Sequence, residues 1–260
     1  MSITPSSNRA KAYALLLVNT VIWGLSAPII KQSLNFVSPN EFLLARFFIA
    51  SIIFLPIFLL TSKPKSHNNW WLLIILALLG TPLTLTPLYV GLTMTTSLEA
   101  SILIATGPII TILGGVIFLR ERVNKMEKIG LALAISGTLV LIFGPLTTIS
   151  LTVSKPSIIG SLLITLSNFI WTAFCLISKK FKTDTNTLSL VSYVIGLISF
   201  SFLVYSEGGS ITQLGTKLII SPLALLGVTF QAILGSIVAF WAYIKAQEYI
   251  EASEASVFTY

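Results

Sequence analysis

The segment Glu99-Ala100-Ser101-Ile102-Leu103 recurs 155 positions later as Glu254-Ala255-Ser256-Val257-Phe258, and Gly80 recurs at the same offset as Gly235. The chain therefore carries an internal repeat. The surrounding sequence is strongly apolar, with 55% hydrophobic residues, only 10% charged residues and a mean hydropathy of +0.93. A soluble domain of this length cannot cover its surface with so few charges, so the repeat lies in a membrane protein.

A second set of repeated residues lies earlier in each copy. Ile22-Trp23 with Lys31 recurs as Ile170-Trp171 with Lys179, at an offset of 148. Since a spanning helix needs about 20 mostly apolar residues, each long apolar stretch of the chain predicts one span. The sequence predicts an all-α, polytopic membrane protein with eight complete spans, at 12–31, 41–61, 70–91, 98–119, 128–144, 157–178, 186–206 and 219–246.

The distribution of basic residues predicts the orientation of the chain in the membrane. The net charge of +7 would suggest nucleic acid in a soluble protein, but here the lysines and arginines cluster at alternate helix ends. With the N-terminus in the cytoplasm, the external loops hold only Lys31, Lys155 and Lys217, which agrees with the positive-inside rule. We expect a multi-pass protein of the cell (inner) membrane, with a cytoplasmic N-terminus and no nucleic-acid partner.

The spans group into two halves. We expect a disordered cytoplasmic N-terminus at 1–11, a first five-helix repeat at 12–144, a linker at 145–156 and a second repeat at 157–260. Because five is odd, the second repeat begins on the other side of the membrane, so the repeats are inverted. The second repeat is predicted to be incomplete, with its fourth helix truncated after a start near Glu254.

Several short motifs, in their order and spacing, resemble one known family. They are Trp23-Gly24 before Pro28 and Lys31, Pro39 with Arg46-Phe47, Tyr89-Val90-Gly91-Leu92, Glu99-Ala100-Ser101 before Pro108, Arg120-Glu121, and Gly130 to Gly137. From Ala12 onward the chain is similar to the EamA-type proteins of the drug/metabolite transporter superfamily, which have ten helices. The resemblance implies a transporter, or efflux protein, of small metabolites such as amino acids or drugs. Alternating access between the two inverted repeats is the expected mechanism.

Two other functions compete with transport. A truncated, non-transporting membrane protein or an assembly partner is the alternative suggested by the incomplete second repeat. A membrane enzyme is disfavoured, because one His, one Asp and one Cys offer no catalytic cluster. We therefore expect no catalytic residues, no metal and no cofactor. Small residues at 130 and 134 would permit close helix contact in a homodimer.

Arg46 is the most informative candidate for substrate binding. A charge inside a spanning helix costs at least about 2.5 kcal/mol on insertion scales and usually faces a partner or a wet cavity. A guanidinium can hold a carboxylate or phosphate with two parallel hydrogen bonds. The alternative is a structural role, in which Arg46 is an internal anchor for helix packing, capping carbonyls or pairing with Glu41.

Seven further residues are candidates for the substrate site, each with a structural alternative. The amides of Asn168 and Gln231 lie in mid-membrane and either bond a neighbouring helix or face a cavity. The aromatic residues Trp23, Tyr89, Trp171 and Trp241 could form cavity walls or pack in the core. Glu99 either caps a helix or serves as a protonation or amine-binding site at the cavity mouth.

Overall fold

The computed structural model describes residues 6–61, 69–121 and 158–259, with four isolated positions between 129 and 136. Every element in these ranges is helical. The α-helices are α1 (Ser6–Ser33), α2 (Pro39–Thr61), α3 (Trp70–Leu78), α4 (Thr84–Met94), α5 (Ser97–Ile104), α6 (Gly107–Gly114), α7 (Ile158–Phe181), α8 (Thr185–Ser206), α9 (Ile211–Ile220), α10 (Pro222–Phe230), α11 (Trp241–Gln247) and α12 (Ala252–Ser256).

Short π-helical segments extend several of these helices. Leu79–Leu83 joins α3 to α4, Gly115–Leu119 follows α6, and Gln231–Phe240 joins α10 to α11. The first contains Pro82, which has no N–H to donate to the regular helical ladder. Such segments reorient the side chains around them and are often found at functional sites.

Seven helical stretches of the described chain are long and apolar enough to cross a membrane. They are Asn8–Ser33, Pro39–Thr61, Trp70–Met94, Leu98–Leu119, Ile158–Phe181, Thr185–Ser206 and Pro222–Gln247. These agree with seven of the predicted spans and with the all-α membrane class. The predicted span at 128–144, the linker at 145–156 and the small pair at 130 and 134 fall outside the continuously described residues.

Two segments differ from the sequence-based expectation. Helix α1 begins at Ser6, within the stretch expected to be disordered, because Arg9 and Tyr13 both donate hydrogen bonds to Glu254 and fix its first turns. The connection between α8 and α10 contains the additional helix α9, which Ser210 caps by accepting from the Thr212 N–H.

The helix starts follow from capping residues. Ser38 and Glu41 form reciprocal hydrogen bonds at the start of α2, at 2.9 and 3.3 Å. Asp184, 146 positions after Ser38, accepts from the Thr187 N–H at the start of α8. Side chains that satisfy the free N–H groups of a first turn stabilise the helix and fix where it begins.

The helices pack in pairs that combine the two halves of the chain. Helix α1 lies against α10, the π segment Gln231–Phe240 and α11, while α7 lies against α4 and the end of α3. Helices α2 and α8 pack together between these two groups. We call the first set the α1 group and the second the α7 group.

Two faces of the bundle are defined by the ends of α1. The N-terminal face holds the start of α1 and the ends of α7 and α11, as the Arg9–Glu254 ion pair at 2.8 Å and the contact of Lys179 with Gln247 establish. The opposite face holds the end of α1 at Ser33, which donates to the Leu223 carbonyl at the start of α10.

Candidate functional site

A cavity of about 350 Å³ lies between the α1 group and the α7 group. Its walls are mostly apolar, with a small number of polar side chains that converge on the interior. This volume and composition are typical of sites for small organic ligands.

Arg46 projects from α2 into this cavity and is 8% exposed. Its Nε donates to the Ser236 hydroxyl at 2.7 Å, and its Nη1 donates to the Tyr89 hydroxyl at 2.9 Å. The guanidinium also lies 5.3 Å from the centre of the Phe47 ring. These contacts hold the charge at a fixed position inside the helix bundle.

The alternative in which Arg46 pairs with Glu41 is wrong. Glu41 accepts from Lys217 at 2.6 Å and from the Ser38 N–H, so its carboxylate is used at the opposite face. Arg46, more than one helical turn further along α2, points into the bundle instead. Among the described residues that line the cavity, it carries the single formal charge.

Gln231 begins the long π segment and lies beside Arg46. A Cβ added to Gly235 would be 2.4 Å from the Gln231 Oε1 and 3.8 Å from the Arg46 Nη2, so Gly235 leaves room for both polar groups. Gln231 is 2% exposed, and its Nε2 has no hydrogen-bond partner among the described residues. An unsatisfied buried amide costs about 1–3 kcal/mol of stability.

An aromatic wall lies beside these polar groups, with the Trp23 Nε1 donating to the Gly235 carbonyl at 3.4 Å. The rings of Trp23 and Trp171 meet edge to face at 5.6 Å, and Tyr243 lies 5.3 Å from Trp23 and 5.7 Å from Trp171. All three line the cavity. Trp23 and Trp171 are the repeat-related pair, so the two halves each contribute one indole to the same wall.

Asn168 lines the cavity and also bonds a neighbouring helix, which unites the two predicted roles. Its Nδ2 donates to the Leu103 carbonyl at 2.8 Å and to the Thr106 hydroxyl at 3.1 Å. These acceptors lie at the break between α5 and α6, next to Gly107-Pro108. Asn168 thus fixes α7 against an interrupted helix.

Two predicted candidates lie outside the cavity. Glu99 forms a capping box with Thr96 at the start of α5, with hydrogen bonds of 3.1 and 3.2 Å. Trp241 donates from its Nε1 to the Asn186 Oδ1 at 2.7 Å, which ties α11 to the start of α8. The structure brings together the other six: Arg46, Trp23, Tyr89, Asn168, Trp171 and Gln231.

Sequence reasoning missed Ser236 and Tyr193. Ser236 accepts from Arg46, and the Tyr193 hydroxyl donates to the Ser236 carbonyl at 2.7 Å. A signal was present, because Gly80-Thr81 and Gly235-Ser236 are repeat-related and each carries a hydroxyl after its glycine. Thr81 and Ser236 both line the cavity.

Metal chemistry has no visible site in the described part of the chain. No group of three or more His, Cys, Asp or Glu residues there could hold a metal ion. Cys175, the single cysteine of the sequence, is buried in α7.

Comparison with protein families matches residues 10–143 and 158–260 to the EamA-like transporter family. The chain belongs to this family. It is therefore a multi-pass membrane transporter of small molecules, in agreement with the seven apolar spans and the central cavity.

Relatives of this transporter carry similar descriptions. It is 29% identical over 254 residues to an uncharacterized transporter of Archaeoglobus fulgidus, covering 95% of this chain and 84% of that protein. Identity is 25% to the uncharacterized transporter YyaM of Bacillus subtilis, covering 95% and 80%. Identity is 26% to the probable amino-acid metabolite efflux pump of Escherichia coli, covering 90% and 76%.

A solved crystal structure shares the fold. It matches this transporter with a TM-score of 0.72 at 16% identity, over 95% of this chain and 83% of that one. At this identity the likeness shows the fold alone.

Proposed function

We propose that this protein exports small metabolites across the cell membrane by alternating access between two inverted halves. The observation that carries the proposal is the central cavity, which contains a buried arginine and lies between two helix groups that each combine both halves. Export, and amino-acid metabolites as a class of cargo, follow from the similarity to the probable amino-acid metabolite efflux pump of Escherichia coli. The basic residues at alternate helix ends support a cytoplasmic N-terminal face.

Equivalent packing in the two halves supports the inverted repeat. Phe47 of α2 stacks on Phe200 of α8 at 5.6 Å, and Phe54 of α2 meets Tyr193 of α8 edge to face at 5.2 Å. At an offset of 146 residues, Phe47 corresponds to Tyr193 and Phe54 corresponds to Phe200, so each pair is the repeat-related counterpart of the other. The interface between α2 and α8 therefore has a pseudo-twofold pattern.

Two lysines make equivalent contacts at the two faces of the bundle. Lys31, near the end of α1, donates to the carbonyls of Leu92 and Thr95 at the end of α4. Lys179, near the end of α7, donates to the carbonyls of Gln247 and Ile250 after α11. We call these the Lys31 clamp and the Lys179 clamp.

Each clamp crosses from one helix group to the other. Helix α1 belongs to one group and α4 to the other, and the same is true of α11 and α7. The Lys31 clamp joins the groups at the opposite face, and the Lys179 clamp joins them at the N-terminal face. Opening one clamp while the other stays closed would expose the cavity to one side only, as alternating access requires.

Thiol accessibility tests this mechanism. In a Cys175→Ala background, Ala27→Cys places a single thiol in the cavity wall, and an impermeant reagent is added at the opposite face. Lys31→Ala should raise the labelling rate and Lys179→Ala should lower it. Loss of charge-assisted hydrogen bonds worth about 1.5–3 kcal/mol shifts a two-state population by about tenfold or more.

The matched control is Lys180→Ala, which removes the neighbouring exposed lysine and should leave the labelling rate unchanged. Changes of the same sign in the two clamp variants would contradict alternating access. Efflux from cells that express each variant at equal levels completes the test. If the wild-type chain produces no efflux, the alternative of a non-transporting assembly partner is favoured.

A further inference from the structure

The described lining of the cavity carries one positive charge and no negative charge. Arg46 is positive, and no carboxylate of the described chain lines the cavity. Three acidic side chains of the described helices are used elsewhere: Glu41 pairs with Lys217, Glu99 caps α5 and Glu254 pairs with Arg9. A buried charge without a counter-ion is costly, so the cavity has an electrostatic preference for a ligand that brings a negative charge.

Arg46 and Gln231, neighbouring side chains of the cavity lining, each have a hydrogen-bond donor without a protein acceptor among the described residues. The Nε and Nη1 of Arg46 donate to Ser236 and Tyr89, while no described residue accepts from its Nη2. The Nε2 of Gln231 also has no acceptor among the described residues, although only 2% of this residue is exposed. The Arg46 Nη2 and the Gln231 amide, through its Oε1, both lie near Gly235. One guanidinium and one amide donor suit the two oxygens of a carboxylate.

The aromatic part of the cavity lining suits an apolar body. Trp23, Trp171 and Tyr243 pack into one continuous surface, and Phe240 lies 6.2 Å from Trp171. Most of the cavity lining is apolar, with Leu88 and Leu92 on the side of α4. A ring of phenyl size would bury its faces against this wall.

We propose that the substrate is a net-anionic organic acid, with its carboxylate bound by Arg46 and Gln231 and an apolar or aromatic body held by the Trp23–Trp171–Tyr243 wall. Zwitterionic amino acids and cationic drugs bind more weakly, because the described lining offers no carboxylate for an ammonium and Arg46 repels it. The inference rests on the proposed transport function, whose substrate class it names.

A matched set of probes separates charge from shape. Phenylpropanoate, phenylalanine and phenylethylamine share one phenyl body and carry an anion, a zwitterion and a cation, respectively. Binding is measured by isothermal titration calorimetry on the purified full chain in nanodiscs. Phenylpropanoate should bind most tightly and phenylethylamine least.

Variants then assign the preference to the site. Arg46→Gln should weaken phenylpropanoate binding by about ten- to hundredfold, the loss expected for charge-assisted hydrogen bonds, and should not weaken phenylethylamine binding. Arg46→Lys should retain part of the affinity. Lys180→Gln, which removes an exposed positive charge, should leave all three affinities unchanged.

Gln231→Leu provides a test that does not depend on the folding of an Arg46 variant. It should weaken phenylpropanoate binding while it raises thermal stability, because it removes an unsatisfied buried amide. A purely structural glutamine would show the opposite change in stability.

Three results would overturn the inference. The first is tighter binding of phenylalanine or phenylethylamine than of phenylpropanoate. The second is no phenylpropanoate binding up to about 10 mM, a concentration that detects even very weak sites. The third is an Arg46→Gln variant that folds and binds phenylpropanoate as tightly as the wild-type chain does.

Flux measurements in proteoliposomes separate this inference from the proposed function. Arg46-dependent binding of phenylpropanoate without flux contradicts transport and leaves the anion site standing. Flux of phenylalanine that persists in Arg46→Gln supports transport and overturns the anion site.

Discussion

Replacing Gly91 or Gly160 by alanine tests how closely α4 and α7 must approach. A Cβ at Gly91 would lie 2.7 Å from the Ile164 Cγ1 and 2.8 Å from the Gly160 carbonyl oxygen. A Cβ at Gly160 would lie 2.7 Å from the Met94 Cβ. Such contacts are too short to exist, so either substitution forces the helices apart or rotates one of them.

The size of the effect follows from two opposing terms. Alanine stabilises a helix by about 1 kcal/mol relative to glycine, whereas an overpacked interface costs about 1–3 kcal/mol. The net loss in the free energy of unfolding is about 0–2 kcal/mol. Gly91→Ala should fall at the upper end, because a backbone carbonyl cannot move without displacing α7.

Unfolding in a denaturing detergent measures the effect on the purified protein. The matched control is Gly24→Ala in α1, where nothing lies within 4 Å of the added Cβ, so the helix term alone should stabilise by about 0.5–1 kcal/mol. The double variant Gly91→Ala with Gly160→Ala should lose less unfolding free energy than the sum of the two single losses, because helices that have separated for one methyl group accommodate the second. Stabilisation of all three single variants would refute the close-approach argument.

Three other substitutions test single contacts. Thr96→Ala removes the cap of α5 and should lower the free energy of unfolding by about 1 kcal/mol, with Thr96→Ser close to wild type in the same assay. Trp241→Phe removes the hydrogen bond to Asn186 and should cost about 1 kcal/mol of stability, while the substrate KM stays unchanged because Trp241 lies outside the cavity. Asn168→Ala leaves the Leu103 carbonyl without its side-chain donor and should speed amide hydrogen exchange at the junction of α5 and α6; unchanged exchange would contradict this anchoring role.

The spans could be predicted from sequence because the membrane imposes a strict length and polarity on each helix. Seven of the eight predicted spans coincide with described helices to within a few residues. Helix α9 could not be predicted as easily, because a short helix outside the membrane leaves no long apolar stretch. Its Ser210 cap is a local feature that many loops share.

The cavity lining could be predicted most directly where a residue is costly in the membrane. Arg46, Asn168 and Gln231 stand out in apolar sequence, and all three line the cavity. Ser236 does not stand out, because serine is common at packed membrane helix interfaces. Glu99 and Trp241 are predicted as site residues but lie outside the cavity lining. Sequence alone does not separate the two cases, since capping and interhelical hydrogen bonds use the same residue types as binding sites.

The repeat has a consequence for the proposed anion site. Several residues of the bundle have repeat-related counterparts, since Trp23 corresponds to Trp171, Thr81 to Ser236 and Lys31 to Lys179.

The polar ligands do not follow that symmetry. At the offset of 146, Arg46 corresponds to Ser192, and at the offset of 155, Tyr89 corresponds to Ile244 and Gln231 to Leu76. Two equivalent halves can move about a common centre. The single positive charge of the described cavity lining, in contrast, comes from one half only, because Arg46 has no arginine counterpart. On the proposed anion site, a substrate carboxylate has one binding orientation. Ser192→Arg, which places an arginine at the repeat-related position, should add a second cationic group and raise the affinity for dianions relative to monoanions in a competition assay.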